Sequence, residues 1–207
     1  MLVQAVDWGV MVVGAWNRAI LTPDGIRKRL FGLSDGSTVD IEVAIDRPGA
    51  FRVRHDGVIV EPTPMALAIF GETNEQKSIE ACCQVASTAL SSLPETPVSA
   101  AGINYRYRIS EMSDAIIEKL ECQLDDVLSD DAHEIVGRSI KRTIKVENGV
   151  LNLEIVQGEG SDDMVMFNFH LDSADIDALK EWLGKAGAFE LLTIKLMKQI
   201  GFIEEGL

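Results

Sequence analysis

Ile140-Lys141-Arg142-Thr143-Ile144-Lys145-Val146-Glu147-Asn148-Gly149-Val150-Leu151-Asn152-Leu153-Glu154-Ile155 is the stretch whose reading decides the fold. Ile140, Ile144 and Val146 alternate with Lys141, Thr143 and Lys145, the period of a half-buried strand. Glu147-Asn148-Gly149 then supplies a tight hairpin, since Asn-Gly favours the type I′ turn. Leu151, Leu153 and Ile155 form the return strand. A polar loop from Gly158 to Asp163 leads to a third strand. There Val165, Phe167, Phe169 and Leu171 alternate with Met164, Met166, Asn168 and His170. Three consecutive antiparallel strands make a meander.

A helix follows, with Ser173 expected to cap it and Ile176, Leu179, Leu183 and Ala186 as its stripe. Gly184 and Gly187 predict a kink or a break. Phe189, Leu192, Leu196 and Ile200 close the chain.

The same order occurs earlier. Val39, Ile41, Val43 and Ile45 alternate with Asp40, Glu42 and Ala44, which predicts a half-buried strand. Arg47-Pro48-Gly49 turns the chain, and Phe51 and Val53 alternate with Arg52 and Arg54. Asp56-Gly57 is a hairpin turn. The return strand, Val58 to Glu61, runs into Pro62 and Pro64, which predicts a sheet edge. Met65 to Phe70 is one more strand. A helix expected to be capped by Thr73 carries Ile79, Cys82, Cys83, Ala86, Ala89, Leu90 and Leu93 on one stripe, and Pro94 stops it.

Around these units lie three further elements. Residues 3 to 16 read as a long, largely buried strand, with Trp8, Val10 and Val12 on one face and Met11 and Val13 on the other. Thr22-Pro23-Asp24 starts a short helix to about Phe31. Val98 to Ile109 is a strand, and residues 113 to 128 read as one helix with the stripe Ile116, Ile117, Leu120, Leu124, Val127 and Leu128. The fold class is therefore α+β: antiparallel sheet built from two units of β-meander plus helix, about 38–93 and 138–200, with helices packed on one face. We read one domain over residues 1–207, with an order that fits an internal duplication of about 1–110 and 111–207.

The composition narrows the function classes. There are 33 acidic residues against 19 basic, a formal net charge of −14. Such a surface repels polyanions, so neither nucleic acid nor an anionic membrane is an expected partner. Arg138, Lys141, Arg142 and Lys145, and Arg27, Lys28 and Arg29, do not form single basic stripes. The three cysteines, Cys82, Cys83 and Cys122, form no disulfide framework, and reduced thiols suit a cytoplasmic setting. The start lacks a basic n-region, and Val10 to Trp16 is too short to span a bilayer. A cytoplasmic bacterial or phage protein is the expectation.

Candidate chemistry is sparse. Asp125, Asp126, Asp130, Asp131, His133 and Glu134 are oxygen-rich but lack the spacing of a calcium loop, and a solvated helix end is the expected role. Gly158 to Asp163 reads as a loop. His55, His133 and His170 show no zinc spacing. His170 is the residue best placed to serve as a general base, although an ordinary sheet position is the simpler role. Cys82 and Cys83 sit on an apolar stripe and read as small hydrophobes. No phosphate-binding loop, dinucleotide motif or nucleophile elbow occurs. No cofactor and no metal are expected, and nothing names a small-molecule ligand.

Tyr105-Arg106-Tyr107-Arg108 places its tyrosines on one face and its arginines on the other, where Arg106 and Arg108 can meet a partner's carboxylates. Met164 and Met166 make their strand apolar on both faces, and the N-terminal strand is similar. A strand with two apolar faces asks for two covers. Arg106, Arg108, Met164, Met166 and His170 are therefore the candidate interaction residues, and a protein partner or self-association is expected.

Thr96-Pro97-Val98-Ser99-Ala100-Ala101-Gly102-Ile103-Asn104-Tyr105 resembles an element of uncharacterised bacterial and phage proteins, through Thr96, Pro97, Gly102, Asn104 and Tyr105. Some of those are similar in architecture to SecB-like chaperones, with four antiparallel strands and long helices. The N-terminal strand and second meander of this chain are additions to that plan. Two function classes follow. One is a non-enzymatic interaction or assembly protein: chaperone-like, a phage accessory or structural component, or part of a defence system. The other is a small enzyme with a site assembled from scattered residues around His170.

Overall fold

The computed structural model describes residues 3–44, 49–130, 133–158 and 163–203. Its elements are β1 (Val3–Gly14), α1 (Pro23–Arg29), β2 (Asp40–Val43), β3 (Phe51–His55), β4 (Val58–Pro62), β5 (Ala66–Gly71), α2 (Gln76–Ser92) and β6 (Val98–Ile109). They continue with α3 (Asp114–Leu120), α4 (Gln123–Asp130), β7 (Arg138–Val146), β8 (Gly149–Gln157), β9 (Met164–Asp172), α5 (Ile176–Leu183) and α6 (Ala186–Ile200). The strands form one antiparallel sheet of nine, in the order β2-β3-β4-β5-β1-β6-β9-β8-β7. Helices α2, α5 and α6 pack on one face of its centre, α1 against β3 and α3 against β7. The fold is α+β, with helices on one side of the sheet.

One row of residues crosses the whole sheet on the helix side: Ile41, Val53, Val60, Ile69, Val10, Ile103, Phe169, Leu151 and Ile144, each the cross-strand partner of the next. The row has a centre between Val10 and Ile103. Outward from it the two halves match: β1 with β6, β5 with β9, β4 with β8 and β3 with β7. Val53 and Ile144 each stand three residues before a hairpin turn, Asp56-Gly57 and Glu147-Asn148. Helix α2 after β5 corresponds to α5 and α6 after β9. The counterpart of β1 is β6, so the correspondence divides the chain between α2 and β6. Among the described residues strand β2 has no counterpart beyond β7.

Local chemistry explains most boundaries. The Thr22 hydroxyl accepts from the Gly25 amide at 3.1 Å, and Pro23 opens α1. Asp56 and Gly57 both have positive φ, as a type I′ turn requires. In the second hairpin the loop residues are Glu147 and Asn148, and Gly149 already belongs to β8. Its lack of a side chain serves packing: a Cβ there would lie 2.7 Å from Cη2 of Trp182 and 2.4 Å from the His170 carbonyl oxygen.

Several expectations are corrected. Strand β2 is exposed throughout rather than half-buried, with Ile41 and Val43 at 51% and 66%, because it lies outside β3 at the sheet edge. The turn residues Arg47 and Pro48, with Ile45, lie outside the described residues. Strand β4 is interior, between β3 and β5. Pro62 is tolerated because the β3–β4 ladder ends at Val60, so its missing N–H leaves no gap there. Glu75, without a side-chain cap bond, and not Thr73, precedes α2. Asn74 beside it is used otherwise: its Oδ1 accepts from the Trp8 amide at 2.8 Å, where β1 is bulged at Asp7.

The helix expected over 113–128 is two, separated at Glu121-Cys122. Ile116 and Leu120 of α3 are buried, whereas Leu124 and Val127 of α4 are exposed because α4 leaves the core. Asp175 caps α5 by accepting from Asp177 and Ala178, and Ser173 supports it by accepting from the Asp175 amide. The expected break at Gly184 is present, between α5 and α6.

The core lies between the sheet and α2, α5 and α6. Phe169 stacks on Phe189 at 4.3 Å, Trp182 abuts Phe189, and Tyr105 donates to the Ala186 carbonyl at 2.7 Å. Each buried aromatic of this kind contributes about 2–3 kcal/mol through the apolar area it removes from water.

Candidate functional site: the open face of the sheet

Period-2 alternation sends every second residue of β6, β8 and β9 away from the helices. On that side Asn104, Arg106 and Arg108 of β6, Val150 to Val156 of β8 and Met164 to Asp172 of β9 are half-buried or exposed at every second position, whereas helix-side neighbours such as Tyr105, Leu153 and Phe167 are buried. The five candidate interaction residues all lie on the open side. Arg106 is the direct cross-strand partner of Met166, and Arg108 of Met164. His170 lies opposite Gly102 on β6 and Val150 on β8. Arg106 and Arg108 are exposed, and their guanidinium groups have no ion pair among the described residues. The two methionines are half-buried between their neighbours. Tyr105 and Tyr107 point the other way and are buried, as alternation requires.

The two-sided apolarity of β1 and β9 thus has one cover within the chain. Helices bury Trp8, Val10, Val12, Val165, Phe167 and Phe169, while Met11 on the other side stays 40% exposed.

Beside the methionines runs a polar ladder that the strand-by-strand reading missed. The Thr143 hydroxyl donates to Asn152 Oδ1 at 2.8 Å, Asn152 Nδ2 to Asn168 Oδ1 at 3.2 Å, and Asn168 Nδ2 to Asn104 Oδ1 at 2.7 Å. These four residues share one row across β7, β8, β9 and β6. Each amide satisfies its neighbour, so the ladder orders the face at little desolvation cost. Asparagine at one register position on three strands was the available signal, and it needs the register to be seen.

His170 Nε2 lies 2.8 Å from Asp172 Oδ1, two residues along the same strand. The Asp172 side chain is 85% exposed and that of His170 28%, so the pair lies at the surface with the ring half-buried. The four described cavities are lined elsewhere; the widest, about 410 Å³, lies between Phe31, His55, Val58 and Val85 and does not include His170.

The other candidates are placed as follows. Asp125 is engaged by Arg138, whose Nε donates to Oδ2 at 2.6 Å, and this charge-assisted bond holds its carboxyl below the ordinary range. Asp131 lies outside the described residues, as do 159–162 of the glycine-rich loop. Among the described residues no group of three or more His, Cys, Asp or Glu is arranged to hold a metal ion. His55 rests against Phe31 with ring centroids 5.4 Å apart, and His133 is exposed. Burial pushes the Cys82 thiol up to about 12 and raises Cys83 as well, which keeps both protonated and unreactive. Among the described residues no helix is long and apolar enough to cross a membrane.

No protein-family model matches this chain, and no curated protein matches it. The open face therefore has to be read from its own chemistry.

Proposed function

We propose that this chain is a non-enzymatic interaction or assembly protein whose working surface is the open face of the sheet. The observation that carries this reading is the pairing of Arg106 with Met166 and Arg108 with Met164 on a face where the arginines are exposed and the methionines only half-buried. Methionine adapts its shape to a partner, and arginine adds directional bonds to carboxylates. Both types are enriched in the centres of protein interfaces. The Asn ladder holds the strands beneath in register. A chaperone-like, phage-accessory or defence-associated role, acting in the cytoplasm and through self-association or a protein partner, fits this surface.

The test is a photo-cross-linking residue placed at Met166 and, separately, at Leu191. Leu191 is 70% exposed on α6, on the helix side. On irradiation in the native cell, a discrete cross-linked protein or dimer is expected from position 166 and not from 191, and Arg106→Glu removes it. Equal products from both positions, or none from 166, overturn the reading.

The His170–Asp172 contact is the single observation favouring an enzyme. A carboxylate-oriented histidine is a general-base arrangement, but His170 lines none of the four described cavities, so no enclosed site there would hold a substrate against it. Loss of the cross-link on Arg106→Glu supports the interaction class, and a cross-link that survives Arg106→Glu counts against it.

A further inference from the structure

The matched halves of the sheet differ at their ends. Beyond β3 lies β2, hydrogen-bonded along Asp40↔Arg54 to Val43↔Phe51. Beyond β7, the counterpart of β3, no strand follows among the described residues. Among the described residues, no backbone hydrogen bond from 138–146 reaches anything but β8. The burial of the corresponding residues reflects this. Val53 of β3 is fully buried, while its counterpart Ile144 is 39% exposed.

The charges differ in the same way. On the open face, Arg54 of β3 is paired with Glu42 of β2 and with Glu72, and Arg52 with Glu61 at 2.7 Å. Lys145, the counterpart of Arg54, has no ion pair among the described residues, nor has Lys141. Among the described residues, strand β7 thus presents an edge with no strand partner, with Lys141 and Lys145 on the open face and Ile140, Arg142 and Ile144 on the helix face, where Arg142 Nη1 donates to the Lys141 carbonyl at 2.8 Å.

We propose that the outer edge of β7 is a strand-addition site for an extended partner segment that alternates acidic and apolar residues. The segment runs antiparallel to β7 as β2 runs along β3, its carboxylates beside Lys141 and Lys145 and its apolar residues beside Ile140 and Ile144. Main-chain bonds supply affinity and the alternating side chains supply selectivity. A second copy fits worse. Its own β7 would bring further lysines and no carboxylate to the edge. Its β2 runs in the same direction as β7, eight antiparallel steps away, so with helices on the same side it arrives only in the weaker parallel pairing.

This inference deepens the interaction reading, and rests on its premise that the sheet is the working surface. The cross-link at Met166 tests that reading without involving β7, so the two fail separately.

The probe is a synthetic peptide of residues 37–44, Ser-Thr-Val-Asp-Ile-Glu-Val-Ala, added to the isotope-labelled full chain. Amide shifts confined to β7 and the adjoining part of β8 are expected, saturating below about 1 mM, and weakening as salt rises from about 0.05 to about 0.5 M. K141E/K145E, both exposed positions, weakens binding tenfold or more. A peptide with lysine in place of both acids then binds that variant and not the native chain, which also shows the variant to be folded. Absence of shifts at 139–145, or equal binding of the acidic peptide by the variant, overturns the proposal. So does a change at 139–145 with protein concentration alone, which assigns the edge to a second copy.

Discussion

Gly149 lies beneath the indole of Trp182, so close that a methyl group on its Cα would stand 2.7 Å from Cη2. The aromatic ring of α5 is seated on bare backbone at the start of β8. Gly149→Ala is expected to destabilise the fold by about 2–3 kcal/mol through overpacking. The double variant with Trp182→Phe should lose less than the two single costs combined, because the residues share one contact. Denaturant unfolding of the four proteins measures this; strict additivity would refute the contact.

Asn168 occupies the middle of the polar ladder and bonds on both sides. Asn168→Ala leaves Asn104 Oδ1 and Asn152 Nδ2 without these partners and should cost about 1 kcal/mol. In a chain of this size that is a fall in Tm of about 2–4 °C. Asn104→Ala at the ladder's end removes one bond and should cost less. The order of the two melting temperatures is the check.

Glu190 on α6 is half-buried, one carboxylate oxygen lacks a partner, and burial followed by repulsion from Glu80 raises its pKa. A raised pKa means the folded protein binds this proton more tightly than the unfolded chain. The stability it contributes is present below the unfolded value and is lost as pH rises through the folded one. Glu190→Gln should therefore raise Tm at pH 7.5, with the gain vanishing toward pH 4. Melting curves at both pH values decide; a gain that is equal at the two would rule out this carboxyl as its source.

Cys82 and Cys83 are buried and Cys122 is exposed. Alkylation of the native protein at pH 8 should give one adduct, at Cys122, and three after denaturation. The thiolate is the reacting species, and burial holds the two helix thiols protonated. Peptide mapping of the native adduct identifies the site; early modification of Cys83 would contradict the packing.

Much of the fold was legible from local pattern. The alternation of Phe167 and Phe169 with Asn168, the Asp56-Gly57 turn, Thr22-Pro23 and the break at Gly184 act within a few residues, and the structure has the corresponding elements. The exposed edge position of β2 and the interior position of β4 were not legible. Alternation states which residues share a face and says nothing of which strand lies next to which. Pro62 pointed to an edge because a lone strand does not reveal where its neighbour's ladder ends.

The sequence by itself determined the α+β class, the two meanders, and the faces on which Arg106, Arg108, Met164, Met166 and His170 lie, because side-chain direction follows from a period of two. Only the tertiary structure decided that β1 and β6 pair at the centre, that asparagines from three strands join Thr143 in one ladder, and that the strand of Lys141 and Lys145 is the outermost among the described residues. Those facts depend on strand order and register between residues far apart in the chain, which are set by burial of the whole helix-side row from Val53 through Val10 and Ile103 to Leu151, and not by any one segment.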